Sequence, residues 1–153
     1  MFHPTSRTTA ALRHLLAAVV TLALVAPNAL AHQSITVGDG PDRFDIVIGF
    51  TREPIFTDER NALDLIIRRT EDREPIAGLA RSLTVEMIAP DGTSTHVFTL
   101  RDQYGRPGSY TDDVVLSATG VYTIRVRGFV GEVEVDETFQ THEVRDLASL
   151  RFP

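Results

Sequence analysis

The sequence predicts an all-β fold, an antiparallel β sandwich of seven or eight strands. Three observations predict it. Apolar and polar residues alternate at period two through most of the chain after residue 32. Gly, Pro and Asp turn residues separate these runs at intervals of about 8 to 15 residues. Helical periodicity is nearly absent.

Each run has its own signature. A short strand at 35–37 opens the series. Phe44, Ile46, Ile48 and Phe50 share one face, with Arg43 and Asp45 on the other. Leu63, Leu65 and Ile67 alternate with Asp64 and Arg68; Leu83, Val85 and Met87 alternate with Thr84 and Glu86. Phe98 and Leu100 flank Thr99 as a further short strand. Tyr110, Val114 and Leu116 share a face, and Tyr122, Ile124 and Val126 alternate with Thr123, Arg125 and Arg127. Val133, Val135 and Phe139 complete the set. Pro90-Asp91-Gly92 is a hairpin signal, and Gly128 and Gly131 bracket the last hairpin. The connections 51–60 and 70–79 are polar with embedded Pro and are expected to cross between sheets. Tyr110 and Tyr122, each near a strand start, are placed to tie a sandwich corner by the hydroxyl. Residues 145–150 are expected to form a turn or two of helix.

Composition narrows the function. All 15 basic residues are Arg, the formal charge is −6, and there is no Cys. Thiolate metal sites, disulfides and a cysteine nucleophile are thereby excluded. An acidic chain with scattered Arg lacks the footprint of a nucleic-acid binder. With 42% hydrophobic and 24% charged residues, the chain builds a real core.

Residues 1–31 read as a secretory signal peptide. They carry Arg7 and Arg13, no acidic residue, an apolar run at 15–26, and the small-residue ending Ala29-Leu30-Ala31. That run is shorter than the roughly 20 residues of a membrane span. Cleavage after Ala31 leaves 122 residues with a formal charge of −8. The expected organisation is a signal peptide at 1–31, a sandwich at 32–142 and a C-terminal tail at 143–153. The expected product is soluble, without a membrane span, in the periplasm or outside the cell.

Gly49-Phe50-Thr51-Arg52-Glu53-Pro54, Asn61-Ala62-Leu63-Asp64-Leu65, Pro107-Gly108-Ser109-Tyr110, Gly120-Val121-Tyr122-Thr123 and Val135-Asp136-Glu137-Thr138-Phe139 carry a resemblance. The chain resembles small exported immunoglobulin-like domains of the CopC and YtkA-like kind, over about residues 32 to 139. That resemblance implies an immunoglobulin-like sandwich. Some members of the group bind copper in the envelope. The copper-binding CopC proteins begin the mature chain with His, and His32 matches that position.

The chemistry of the residues offers a metal site on its own terms. Three histidines follow the leader: His32, His96 and His142. The α-amine and ring Nδ1 of an amino-terminal His chelate one ion together. Amine and imidazole nitrogens suit Cu(II), and the amine titrates near neutrality. His96, His142 or a carboxylate is expected to complete the site. The competing readings are a core-rim His96 and a solvated His142. Met87 is the sole methionine after the leader and sits in a core pattern, so a methionine-rich site is excluded. Asp112, Asp113, Glu132, Glu134 and Asp136 read as solvated sheet faces. Glu137 shares the face of Val135 and Phe139 and requires an Arg partner or the sheet rim. No G-x-S-x-G, H-E-x-x-H or phosphate-loop motif is present. The expected function is a non-catalytic exported binding module, an envelope copper carrier or buffer using His32. The alternative is a structural or accessory domain that meets another envelope protein through a sheet edge or the 51–60 loop.

Overall fold

The computed structural model describes residues 32–153. The leader reading for residues 1–31 lies outside the described residues.

Period-two alternation becomes nine strands: β1 (Gln33–Val37), β2 (Phe44–Phe50), β3 (Arg60–Arg69), β4 (Leu83–Ile88), β5 (Thr95–Val97), β6 (Arg101–Asp102), β7 (Ser109–Val115), β8 (Thr123–Val130) and β9 (Val133–Gln140). They form two sheets, ordered β1-β2-β3-β7-β6 and β5-β4-β8-β9. Every pairing between strands is antiparallel. With β1 set aside, β2-β3-β7-β6 facing β5-β4-β8-β9 is the A-B-E-D and C′-C-F-G order of the immunoglobulin sandwich.

The inward faces are the ones the alternation marks. Ile46, Leu63, Leu65, Ile67, Val85 and Val126 are fully buried, and Phe44, Ile48, Leu83, Tyr122 and Ile124 nearly so. Burying such a side chain contributes about 1.5–3 kcal/mol. The core is continuous between the two sheets.

One expected strand is corrected. Residues 98–100 pair with neither sheet as a strand. The chain leaves β5 in one sheet and enters β6 in the other, and Phe98 and Leu100 plug the core along that crossing. Their alternation therefore records burial and not pairing. The short β5 and β6 on either side bring the strand count to nine.

Of the two long connections, one follows expectation and one does not. Residues 70–79 do cross between sheets. Residues 51–60 join β2 to β3 within one sheet, and Ile55, Phe56 and Thr57 are buried. The segment after β9 packs on that connection. Phe56 bridges Arg145, whose guanidinium lies 4.7 Å from the Phe56 ring centre. Val144 is fully buried, and a 3-10 turn at Leu147–Leu150 follows, capped by the Asp146 side chain.

Both tyrosines tie corners. The Tyr122 hydroxyl donates to the Ala118 carbonyl at 2.9 Å and accepts from the Ala118 N–H at 3.2 Å. This is the tie that marks the start of the F strand in immunoglobulin sandwiches. The Tyr110 hydroxyl donates to the Ile76 carbonyl and accepts from the Leu79 N–H at 3.1 Å, pinning the 70–79 crossing.

Gly131 alone turns the β8–β9 hairpin, with φ 62 at its first central position. Gly128 lies inside β8 instead. Its φ is 136, and a Cβ there would stand 2.0 Å from the Ser82 carbonyl oxygen. That strand therefore runs closer to residue 82 than any side chain allows.

Candidate functional site

The two outer strands β1 and β9 close one side of the sandwich. The Gln33 side-chain amide donates to the Gln140 carbonyl, and the Gln140 N–H donates back to Gln33 Oε1 at 3.4 Å. His32 immediately precedes Gln33, and His142 follows Gln140 by two residues. This clasp brings the two histidines to the same end of the molecule.

His32 rests on the outer face of the first sheet. Asp64 of β3 points to that face because Leu63 and Leu65 beside it take the inner one. His32 Nε2 lies 3.1 Å from Asp64 Oδ2. Asp64 is only 6% exposed. Gln103 Nε2 donates to its other oxygen at 2.7 Å, Arg106 Nη1 lies 3.6 Å from the same oxygen, and Arg106 also donates to Gln103. Gln103 and Arg106 belong to the loop between β6 and β7, so one loop holds the carboxylate in place. A carboxylate only accepts, so His32 Nε2 donates to Asp64.

His142 forms a second pair. Its Nδ1 lies 3.5 Å from Glu53 Oε2. Glu53 sits in the β2–β3 connection, and its side chain is 13% exposed. Oε2 is buried without a hydrogen-bond partner. Burial pushes the Glu53 carboxyl above the usual carboxylate range; the charges of His142 and His32 and the Phe50 N–H pull it back. A cleft of about 10 Å³ opens beside it, lined by Glu53, His142, Gln33, Gly49 and Phe139 among others.

His96 lies elsewhere. It is on β5, at the opposite edge of the four-stranded sheet from β9. Its ring meets Phe98 edge-on at 4.9 Å and lines an open groove with Met87, Leu116 and Tyr122. The structure therefore gathers His32 and His142 and leaves His96 apart. Among the described residues, no three His, Asp or Glu side chains already converge in a geometry that holds a metal.

Arginines hold Asp112, Asp113 and Asp136, while Glu132 and Glu134 are exposed. Arg101 bridges Asp112 and Asp113 at 2.9 Å, Arg60 also holds Asp113, and Arg125 holds both oxygens of Asp136 at 2.6 Å. The Arg60 hydrogen bond lowers the Asp113 carboxyl below its usual range, and the Arg125 hydrogen bond does the same for Asp136. Glu137 is partly exposed on β9, the edge strand of its sheet.

Two residues of this end were not singled out from the sequence: Asp64 and Glu53. Asp64 was legible as an outward residue of an alternating strand, but its burial comes from the distant 103–106 loop. Glu53 carried no local signal. Its enclosure depends on the segment after β9 folding back beside β2.

No family model matches the chain, and no curated protein matches it. Among solved structures, the chain is similar to a DUF4785 family protein from Legionella pneumophila, at 8% identity and a TM-score of 0.45 over 69% of this chain. The chain spans 29% of that protein's length. It is also similar to the Lin-41 filamin domain, at 17% identity and a TM-score of 0.41, covering 73% of this chain and 94% of that domain. The fold assignment stands on the strand order, and neither likeness bears on the site.

Proposed function

We propose that this chain is an exported, non-catalytic binding module of the cell envelope. It holds one Cu(II) ion at the amino terminus created by removal of residues 1–31. The observation that carries this reading is the hold on His32. Asp64, fixed by Gln103 and Arg106, takes the ring at Nε2. A carboxylate on one imidazole nitrogen fixes the tautomer and raises the basicity of the other. The free lone pair is then on Nδ1, the nitrogen that closes a chelate with the α-amine. That donor set suits Cu(II) above other first-row divalent ions. The resemblance to CopC and YtkA-like domains supports the same metal, because copper-binding CopC proteins also begin with His.

Copper here is cargo, held by nitrogen donors on a rigid sheet edge, and the domain serves as carrier or buffer. The test is a copper titration of exported protein whose mass establishes His32 as the first residue. One Cu(II) per chain is expected, with binding lost in His32→Ala. A mature terminus other than His32 overturns the reading. Absence of binding at micromolar copper moves the function to an accessory domain that docks on another envelope protein.

A further inference from the structure

We propose that two copies of this chain associate by exchanging their C-terminal segments, each laying residues 150–152 along the free edge of β5 in the other. The exchange makes no use of His32 and stands apart from the copper reading.

The receiving groove comes from a mismatch between the two sheets. β6 is two residues long and covers only Tyr110 and Thr111 of β7, so the rest of β7 has no strand beside it on that side. β5 is the edge strand of the other sheet and has three residues. Between these two edges the sandwich stays open. His96 shares the inner side with its register partner Met87, yet it is exposed because the first sheet does not reach over it. A groove of about 520 Å³ results, lined by Met87, Val114, Leu116 and Tyr122. Clefts of roughly 300–1,000 Å³ hold drug-sized molecules, so there is room for two large side chains.

The β5 edge is unpaired in a definite way. The Ala89 N–H donates to the Ser94 carbonyl and the Phe98 N–H to the Val85 carbonyl, with His96 opposite Met87 between them. Residues 94, 96 and 98 thus turn their backbone groups toward β4, and Thr95 and Val97 turn theirs outward. Such an edge is a template for one more extended segment, whose alternate side chains enter the groove.

Residues 150–152 suit that place. After the 3-10 turn the backbone is extended at Arg151, with φ −72 and ψ 129. Leu150 and Phe152 flank it at 60% and 95% exposure. In β2, β3, β4 and β8, apolar residues two apart mark a buried face; this pair has the same spacing and no cover. The charges also match. Among the described residues, neither Arg151 nor the groove residue Asp91 enters an ion pair. Asp113, which also lines the groove, is already held by Arg60 and Arg101, so Asp91 is left for Arg151.

The exchange closes on itself. Val144 bridges Gly120, the Thr57 N–H donates to the Arg145 carbonyl, and the Asp58 N–H donates to the Leu116 carbonyl. The segment therefore leaves the body at the Leu116–Gly120 end of its own groove, with residues 57 and 58 between it and Leu116. A second copy related by a two-fold axis at that end receives one segment and returns the other, which gives a dimer and no open fibre.

The experiment is sedimentation velocity of the exported protein over a range of concentrations without copper, combined with methyl NMR of Met87. Met87 is the only methionine after residue 31, and its methyl reports on the groove. A monomer–dimer equilibrium is expected, with the Met87 signal shifting as the dimer forms. Phe152→Asp and Val115→Asp each change an exposed residue, the second on the lip of the groove, so neither disturbs the core. Each should raise the dimer dissociation constant at least about 10-fold, the loss of one buried apolar side chain. A mixture of the two variants keeps one intact segment facing one intact groove and should associate more tightly than either variant alone. A parent protein that stays monomeric to millimolar concentration overturns the exchange; a Met87 signal that then differs in Phe152→Asp would place the segment in its own groove. Dimers equally tight in the parent and in both variants put the interface elsewhere and overturn it as well.

Discussion

Replacing Tyr110 by Phe removes one oxygen from the middle of the sandwich and leaves the ring in place. Tyr110 is fully buried. Its hydroxyl serves two backbone groups, accepting from the Leu79 N–H and donating to the Ile76 carbonyl. Leu79 is itself buried, at 8% exposure, so its N–H has no water to turn to. A net hydrogen bond is worth about 0.5–1.5 kcal/mol, and a buried donor left unpaired costs about 1–3 kcal/mol. Tyr110→Phe should therefore cost about 2–4 kcal/mol. For a domain of this size that is a fall of roughly 6–16 °C in Tm.

Tyr122→Phe provides the internal comparison. It also deletes two hydrogen bonds, but Ala118 is exposed, so water replaces the hydroxyl there. Its cost should be about 1 kcal/mol. Urea unfolding of the three proteins measures both values, with unchanged m showing that the unfolding transition is the same. Equal costs for the two variants, or a Tyr110→Phe cost under about 0.5 kcal/mol, would refute the argument from buried donors.

Other consequences are as direct. Gly128→Ala puts a Cβ 2.0 Å from the Ser82 carbonyl oxygen at a φ of 136, and should destabilise the domain by more than about 2 kcal/mol in the same urea assay. The Asp91 carboxyl is lowered from an ordinary 3.8 to about 2 by hydrogen bonds from the Ser94 and Thr93 N–H groups. The stability it lends is fully present above pH 3.8 and is lost as pH falls through about 2. Carboxyl NMR should find that titration near 2, and Asp91→Ala should flatten the dependence of stability on pH across the same window. Asp64→Ala should leave the copper stoichiometry at one and weaken the affinity about 10–100-fold, because it removes the group that holds the ring and tunes it.

Much of this molecule was legible residue by residue. Val85 and Val126 announce an inner face because both neighbours of each are polar, and Ile46 and Leu65 because an aspartate precedes each and apolar residues recur two positions away. The Pro90-Asp91-Gly92 turn and the two tyrosine ties were legible for the same reason: each depends on residues within a few positions or on one side chain's chemistry. Residues 98–100 were misread because a chain crossing through a core alternates just as a strand does. The proposed site was half legible. His32 follows from the expected end of a leader, and His142 from its being a histidine. What pairs each of them does not follow, because Asp64 and Glu53 are enclosed by segments remote in sequence. His96 looked equivalent to His142 until the strand order put them on opposite edges.

The central claim is that the new amino terminus is itself part of the copper site. The most direct test compares two proteins that differ only there: one beginning at His32, the other with a single Gly before it. The added residue keeps every side chain and converts the nitrogen of His32 to an amide. Thermal melts with Cu(II) at about 100 times the dissociation constant should raise Tm of the native form by roughly 10 °C, equivalent to about 2.7 kcal/mol. The Gly-extended form should show no such rise at the same copper concentration. An equal rise in both forms would contradict the account.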